Sequence, residues 1–195
     1  MGHALRGHAP EVRQRRSIRL PAHDYSSPGA YFVTVCARDH RPLFDDPVLK
    51  AIIERTWHDQ EKRFPSVSLD AFVIMPNHIH FIVWLNPVGA PLAGARDTPS
   101  RAGASPAPTL AEVVGAFKSI VATEWLKWLG QNAPHRSGRV WQRNYYERVI
   151  RNEDELSSIR EYVHLNPLKW ELDRENPHHV ASREYAQQWG WLEGG

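Results

Sequence analysis

The chain has 195 residues, one cysteine and a formal net charge of +2, from 24 Lys and Arg against 22 Asp and Glu. This length predicts a single domain with a sizeable core, and one cysteine excludes an internal disulfide and a multi-cysteine metal site. No apolar run approaches the ~18 residues of a membrane span, and no apolar signal-peptide core follows the N-terminal arginines. We therefore expect a cytoplasmic protein with no membrane partner.

Residues 1–29 are poor in apolar side chains and carry several Pro, Gly and Arg residues, which indicates a basic, mostly irregular N-terminal arm. β-branched and aromatic residues then predict a first strand over residues 30–38. Asp46 followed by Pro47 is typical of a helix start, and the apolar spacing behind it predicts a first helix that ends near Arg63.

Two further strands are predicted over residues 67–75 and 78–85, on either side of a tight corner formed by Pro76 and Asn77. Residues 87–108 contain many Pro, Gly, Ala and Ser residues and almost no large apolar ones. That composition predicts a flexible loop, and its length places it outside the core.

Thr109 and Glu112 form a capping-box pattern, and the apolar stripe after them predicts a second helix that runs to about residue 129. Residues 139–149 are rich in Val, Trp and Tyr and predict a fourth strand.

The third predicted helix begins at the capping residue Asn152 and carries its own apolar stripe. We expect it to end near residue 166, because Pro167 drives the residue before it out of the helical region. Residues 168–195 form a C-terminal tail.

The predicted order is β-α-β-β-α-β with one more helix at the end. We therefore assign residues 30–167 to an α+β domain of ferredoxin-like fold, an antiparallel sheet with an additional C-terminal helix. In that arrangement the first and third strands are central and the two crossover helices cover one face. The other face is left for the third helix.

His78 and His80 lie two residues apart on the predicted third strand, so both side chains point to the same face, roughly 6.6–7 Å apart along the chain. Two imidazoles in that arrangement can share one metal ion. Ile79 and Phe81 alternate with them and face the other way. Histidines on strands are also frequent as structural residues, so this pair needs a second element to define a site.

Tyr162 and Asn166 supply that element, because residues four apart on a helix share a face. A carboxamide oxygen suits hard ions such as Mg²⁺ or Mn²⁺. A tyrosine is a weak nucleophile unaided, and it becomes effective when a metal ion polarises the electrophile. Taken alone, Tyr162 also fits the pattern of a half-buried packing residue.

Three arginines are candidates for contacts with DNA phosphates: Arg143 and Arg148 in the predicted fourth strand and Arg151 just after it. A solvated basic strand edge explains them equally well. Tyr145 and Tyr146 lie in the same segment, and strand alternation points only one of them toward the histidine face.

The segment PNHIHFIVW resembles the His-hydrophobic-His motif of the single-tyrosine HUH transposases, and WQRNYYERVIRNEDELSSIREYVHLNPLKW resembles the C-terminal block of the REP-associated tyrosine transposases, a branch of that superfamily. The resemblance implies that Tyr162 attacks a phosphodiester of single-stranded DNA and forms a 5′-phosphotyrosine. It implies a divalent metal ion, Mg²⁺ or Mn²⁺, on His78 and His80, with Asn166 as third ligand where some relatives have glutamine.

The same resemblance implies a single-stranded or hairpin DNA partner, with hairpin-forming repeats as targets, in a monomer or a homodimer. Two alternatives stay open. In one the protein is a metal-dependent nuclease that uses water, and Tyr162 only packs. In the other it is a ferredoxin-like module that binds DNA hairpins without catalysis.

Overall fold

The computed structural model describes residues 27–87 and 107–172, together with Asn176 and Gln188. Four strands form one antiparallel sheet in the order β2-β3-β1-β4. The strands are β1 (Gly29–Cys36), β2 (Val67–Ile74), β3 (His78–Leu85) and β4 (Tyr146–Ile150). The helices are α1 (Pro47–His58), α2 (Gln60–Arg63), α3 (Leu110–Asn132) and α4 (Glu153–Leu165), with 3₁₀ segments at Arg38–His40, Leu43–Asp45 and Asn166–Leu172.

The element order and the sheet order together confirm the predicted fold class: a ferredoxin-like α+β sheet with an additional C-terminal helix. The proposed arm at 1–29, the loop at 87–108 and the tail at 168–195 lie mostly outside the described residues, so those domain boundaries stay predictions. Within the described part of the chain, no helix has the length and apolar character that crossing a membrane requires.

Local capping signals start the three long helices at the predicted residues. The Asp46 side chain accepts hydrogen bonds from the backbone N–H groups of Val48 and Leu49, with Pro47 as the first helical residue. The capping box that opens α3 is complete, and the Asn152 side chain accepts from a backbone N–H in the first turn of α4. These caps satisfy N–H groups that the helices themselves leave unpaired.

Each face of the sheet has its own apolar core. Residues at alternate positions of β1 and β3, such as Val33 and Phe81, pack against α1 and α3. The opposite face, which carries Phe32 and Ile82, packs against α4. The crossover helices therefore cover one face and α4 covers the histidine face, as predicted. That second face is buried as well, so the histidines lie inside the protein.

The fourth strand is shorter than the predicted 139–149. It begins at Tyr146, and the preceding stretch is irregular apart from an isolated bridge between Ala37 and Trp141. The Lys118 ammonium on α3 explains this, because it donates to the carbonyls of residues 142, 143 and 144 at 2.8, 3.2 and 3.1 Å. Those carbonyls converge on one cation, which regular strand alternation does not allow.

Two helix ends also differ from expectation. The first helix breaks at Asp59 into α1 and α2, and the Gln60 carboxamide donates to the Thr56 carbonyl beside the break. The third predicted helix ends at Leu165, close to the expected residue, but Pro167 does not drive Asn166 out of the helical region. The chain continues as a 3₁₀ segment, whose first turn tolerates a proline because it needs few N–H donors.

Candidate active site

The histidine pair lies at the centre of the sheet, on the face that α4 covers. His78 and His80 on β3 oppose Cys36 and Thr34 on the neighbouring β1 strand. The two imidazoles are 0% and 4% exposed, and their Nε2 atoms are 2.9 Å apart. The strand thus brings two ring nitrogens to one buried point, as the sequence spacing predicts.

The other nitrogen of each ring has its own partner. His78 Nδ1 lies 2.9 Å from Asn77 Oδ1, and His80 Nδ1 lies 2.8 Å from the Thr34 hydroxyl. Metal-binding histidines commonly have such a partner on the nitrogen that does not face the ion, because it fixes the ring and its tautomer. The outer hydrogen bonds of this pair therefore match those of a metal site.

Tyr162 on α4 reaches the same point. Its hydroxyl lies 3.2 Å from His80 Nε2, and its ring meets the edge of the Phe32 ring at a centroid distance of 6.0 Å. The helix is held there by the apolar residues of its stripe, including Ile159, which pack on the sheet. The phenol is only 3% exposed, so burial and an imidazole partner together define its position.

Asn166 follows one turn after Tyr162 and is 2% exposed. Neither its carboxamide oxygen nor its nitrogen has a hydrogen-bond partner among the described residues. Residues four positions before and after Asn166 lie near the histidines. The Tyr162 hydroxyl contacts His80, and the Trp170 ring lies 5.9 Å from the His78 ring. Leaving a buried amide unpaired costs free energy, which is typical of a group that binds a ligand.

The residues fit a divalent cation. The described chain contains no group of three or more His, Cys, Asp and Glu suited to a metal, so the candidate ligands are two imidazoles and one carboxamide. The pKa of His80 is held well below its ordinary 6.5, first by burial and then by the nearby His78. A neutral imidazole offers the lone pair that coordination needs.

The three arginines lie on or beside β4, and Arg148 opposes Phe32 of β1, so Arg148 shares the face of the sheet that carries the histidines. Arg148 on β4 forms an ion pair with Glu155, with Nε 2.8 Å from the carboxylate oxygen. The backbone N–H of Arg151 donates to the other oxygen of Glu155. Burial alone raises the pKa of Glu155, but the hydrogen bonds from Arg148 and Arg151 outweigh it and leave that pKa below its ordinary value. Arg143 is exposed in the irregular stretch before β4.

The two neighbouring tyrosines separate as alternation requires. Tyr145 packs against the core on the α1–α3 side. Tyr146 is the cross-strand partner of Thr34, and directly opposed residues share a face, so Tyr146 lies on the histidine side. Neither is on α4, whereas Tyr162 is on that helix and its hydroxyl contacts His80 of the pair.

Sequence reasoning missed the residues that hold the site together. The sequence pattern identifies Asn77 only as a corner residue and Thr34 only as part of a strand. The Thr34–His80 bond joins residues 46 positions apart, so it depends on the register of β1 and β3. The sequence signal available for Asn77 was its place directly before His78.

A ferredoxin-like sheet that carries a buried histidine pair, with a tyrosine from the last helix against it, has the features expected of a tyrosine transposase. No protein-family model matches the chain. An uncharacterized protein of Haemophilus influenzae is 34% identical over 177 residues, which cover 84% of this chain and 93% of that protein. A second Haemophilus influenzae protein, provisionally named a REP-associated tyrosine transposase, is 22% identical over 86% of this chain and 90% of its own length.

Two solved structures are also similar. One is a REP-associated tyrosine transposase bound to a REP hairpin, at 20% identity and a TM-score of 0.49 over 73% of this chain and 68% of that one. The other is a protein of Deinococcus radiodurans provisionally named a transposase, at 16% identity and a TM-score of 0.45 over 80% of this chain and 94% of that one. The chain belongs to the same family as the 34% identical Haemophilus influenzae protein, and it is similar in sequence to a protein provisionally named a REP-associated tyrosine transposase.

Proposed function

We propose that this protein cleaves and rejoins single-stranded DNA with Tyr162 as the nucleophile. The observation that carries the proposal is the 3.2 Å contact between the Tyr162 hydroxyl and His80 Nε2, inside a buried cluster that also holds His78. Both elements of the cluster come from one chain, so the proposal places a complete site in each protomer, whether the protein is a monomer or a homodimer.

The proposed step is an in-line displacement at phosphorus. The Tyr162 oxygen bonds to the phosphorus atom, the bond from phosphorus to the 3′ oxygen breaks, and the product is a 5′-phosphotyrosine. The phenol loses its proton and the departing 3′ oxygen gains one. Attack by a DNA 3′-hydroxyl reverses the step, so joining needs no external energy source.

His78, His80 and Asn166 would hold a divalent ion, Mg²⁺ or Mn²⁺. When bound, such an ion polarises the phosphate and offsets the charge that develops on it. The protein's own residues orient the reaction: the sheet fixes the two imidazoles, and α4 fixes the phenol against His80. The position of the phenol beside His80 favours it over water as the nucleophile.

We propose hairpin-forming, repeat-derived DNA as the substrate, because the chain is similar in sequence to a protein provisionally named a REP-associated tyrosine transposase. Affinity for the strand would come from phosphate contacts by Arg143, Arg148 and Arg151 and from stacking of bases on aromatic side chains. Because the candidate residues are almost fully buried, the scissile phosphate reaches Tyr162 only when a covering element moves. Trp170, whose ring lies 5.9 Å from the His78 ring, belongs to the segment that covers them.

End-labelled hairpin oligonucleotides test this proposal. With Mg²⁺ or Mn²⁺, a strand labelled at its 3′ end should yield a labelled protein band, and a strand labelled at its 5′ end should yield a shortened DNA with a free 3′-hydroxyl. Tyr162→Phe should give neither product. Tyr145→Phe is the matched control, because Tyr145 packs on the other face of the sheet, and it should retain both.

Other outcomes point to the alternatives. A shortened strand without a labelled protein band would indicate a nuclease that uses water. Hairpin binding that is unaffected by a chelator and by His78→Ala, without any cleavage, would indicate a non-catalytic module. A protein adduct that persists in Tyr162→Phe would assign the nucleophile to another residue.

A further inference from the structure

The corner that precedes the histidine pair is bonded to the loop after β1. The backbone N–H of Ala37 donates to the Asn77 carbonyl at 2.7 Å, and that of Phe44 donates to the Pro76 carbonyl at 2.9 Å. The Asn77 side chain, 1% exposed, adds a third link, because its Nδ2 donates to the His40 carbonyl at 3.2 Å. The corner is therefore fixed by main chain and side chain together.

The loop has an unusual backbone where it meets Asn77. Asp39 and His40 have φ values of 56° and 50°, and within the described residues they are the non-glycine positions with positive φ. Two consecutive residues in the left-handed region are disfavoured, so the surrounding contacts must hold them. The result is a carbonyl, that of His40, presented to the Asn77 amide.

This carbonyl settles which way the Asn77 carboxamide points. Only Nδ2 can donate to the His40 oxygen, so Oδ1 is the atom that faces His78 Nδ1 at 2.9 Å. With the amide reversed, its oxygen would face the His40 oxygen, and two acceptors would repel each other. Because Oδ1 only accepts, His78 Nδ1 must carry the proton.

We propose that Asn77 is a positioning residue that fixes the tautomer and orientation of His78, so that the lone pair of His78 Nε2 points toward the candidate metal site. This inference rests on the proposed function and goes beyond it. His80 is held differently, because the Thr34 hydroxyl can either donate or accept. One imidazole of the pair is thus locked and the other is adaptable.

Two substitutions separate this role from a merely structural one. Asn77→Ala removes the acceptor for His78 and the donor to His40 together. Asn77→Asp keeps an acceptor for His78 Nδ1 and loses the donor to His40. If Asn77 only fastens the corner, both variants should behave alike. If it fixes the His78 tautomer, Asn77→Asp should restore what Asn77→Ala loses.

The measurement is Mn²⁺ binding to the full chain without DNA, by electron paramagnetic resonance titration. We expect Asn77→Ala to bind about 10- to 100-fold more weakly than the natural protein, and Asn77→Asp to bind more tightly than Asn77→Ala. Asn86→Ala is the matched control, because Asn86 donates to the Ser68 hydroxyl at the far end of the same strand pair. It should bind Mn²⁺ like the natural protein.

Nitrogen-15 spectra of histidine in the natural protein give a second readout that needs no variant to fold. They should show the proton of His78 on Nδ1 both without and with Mg²⁺, which is diamagnetic and leaves the histidine signals observable. A proton on Nε2 of His78, or unchanged Mn²⁺ affinity in Asn77→Ala, would overturn the inference. If the natural protein binds no Mn²⁺, the metal-dependent function fails, and the tautomer in the spectrum alone decides the role of Asn77.

Discussion

The Asp70 carboxylate joins β2, β3 and α4 at a single residue. Arg160 donates to it twice, at 2.9 and 2.6 Å, and the Trp84 indole N–H donates at 3.0 Å. The register of β2 against β3 shifts between Leu69 and Phe72, and such irregularities re-aim side chains. Arg160 lies two residues before Tyr162 on α4. Its ion pair with Asp70 therefore helps to position the helix that carries the phenol.

Asp70→Asn should lower the free energy of unfolding by about 1–2 kcal/mol at pH 7, because charge-assisted hydrogen bonds to a half-buried partner are lost. Burial by itself raises the pKa of Asp70, but the hydrogen bonds from Arg160 and Trp84 outweigh it and leave that pKa below 3.8. The stabilisation is therefore present above the ordinary carboxyl pKa and is lost as pH falls through the lowered value.

Urea unfolding of both proteins at pH 7 and at successively lower pH values checks this expectation. The difference between them should shrink in acid. Asp59→Asn, which removes an exposed pair with Lys62, should cause no measurable change and serves as the control. A difference that stays constant as pH falls through the acidic range would contradict the assignment.

For Asn166, in contrast to Asp70, we expect a substitution to affect Mn²⁺ binding without lowering the stability of the metal-free protein. The Asn166 amide is buried without a partner in the described structure, so Asn166→Leu should leave the metal-free protein equally or more stable. The same change should weaken Mn²⁺ binding. Thermal unfolding with a chelator and with excess Mn²⁺ measures both, since a ligand that binds only the folded state raises the melting temperature.

In that experiment the natural protein should gain stability from Mn²⁺ and Asn166→Leu should gain much less. A strong loss of stability in the chelator alone would show that Asn166 has partners that support the fold. An unchanged response to Mn²⁺ would remove Asn166 from the ligand set.

At the scale of elements, the signals that could be read from the sequence were local. Asp46, Thr109 and Asn152 start their helices through bonds within one turn, and the periods of strand and helix placed His78 with His80 and Tyr162 with Asn166. The sheet order follows from the element order. These features need no knowledge of distant contacts.

What the sequence did not reveal depends on contacts between distant residues. The start of β4 is determined by Lys118, which lies 24 to 26 positions from the carbonyls it binds. The partner of His80 depends on a register that joins β1 to β3. The partner of His78 points the correct way only because His40, 37 positions from Asn77, presents its carbonyl.

Lys118→Met tests the link between α3 and β4. Burial lowers the pKa of Lys118, and its hydrogen bonds to three carbonyls offset the cost of burying the ammonium; Lys118→Met removes these charge-assisted bonds. We expect a loss of about 1–3 kcal/mol in unfolding free energy. Amide hydrogen exchange should speed up in residues 140–146 and stay unchanged in β3.

Lys127→Met is the control for that substitution, because Lys127 lies on the same helix, is exposed, and forms a surface ion pair with Glu124. It should alter neither stability nor exchange to a measurable extent. Equal acceleration in β3 and in residues 140–146 after Lys118→Met would show a global loss of stability instead of a local role.

The two faces of the sheet differ in what they bury. One face is filled by the apolar core with α1 and α3, and it gives the histidine strand a rigid backing. The other face combines apolar packing under α4 with the buried polar cluster. Because the net charge is only +2, the proposed attraction to DNA would come from local arginines and not from the overall charge.

The salt dependence of hairpin binding therefore distinguishes the arginines. Arg143 is exposed, whereas Arg148 already pairs with Glu155 and would have to give up that contact to bind a phosphate. Arg143→Ala should reduce the slope of log affinity against log salt by about 1, and Arg148→Ala should reduce it by less. Arg55→Ala, on α1 behind the sheet, should leave the slope unchanged. Fluorescence anisotropy with a labelled hairpin over a salt series measures all three, and an equal effect of Arg55→Ala and Arg143→Ala would place the DNA on a different surface.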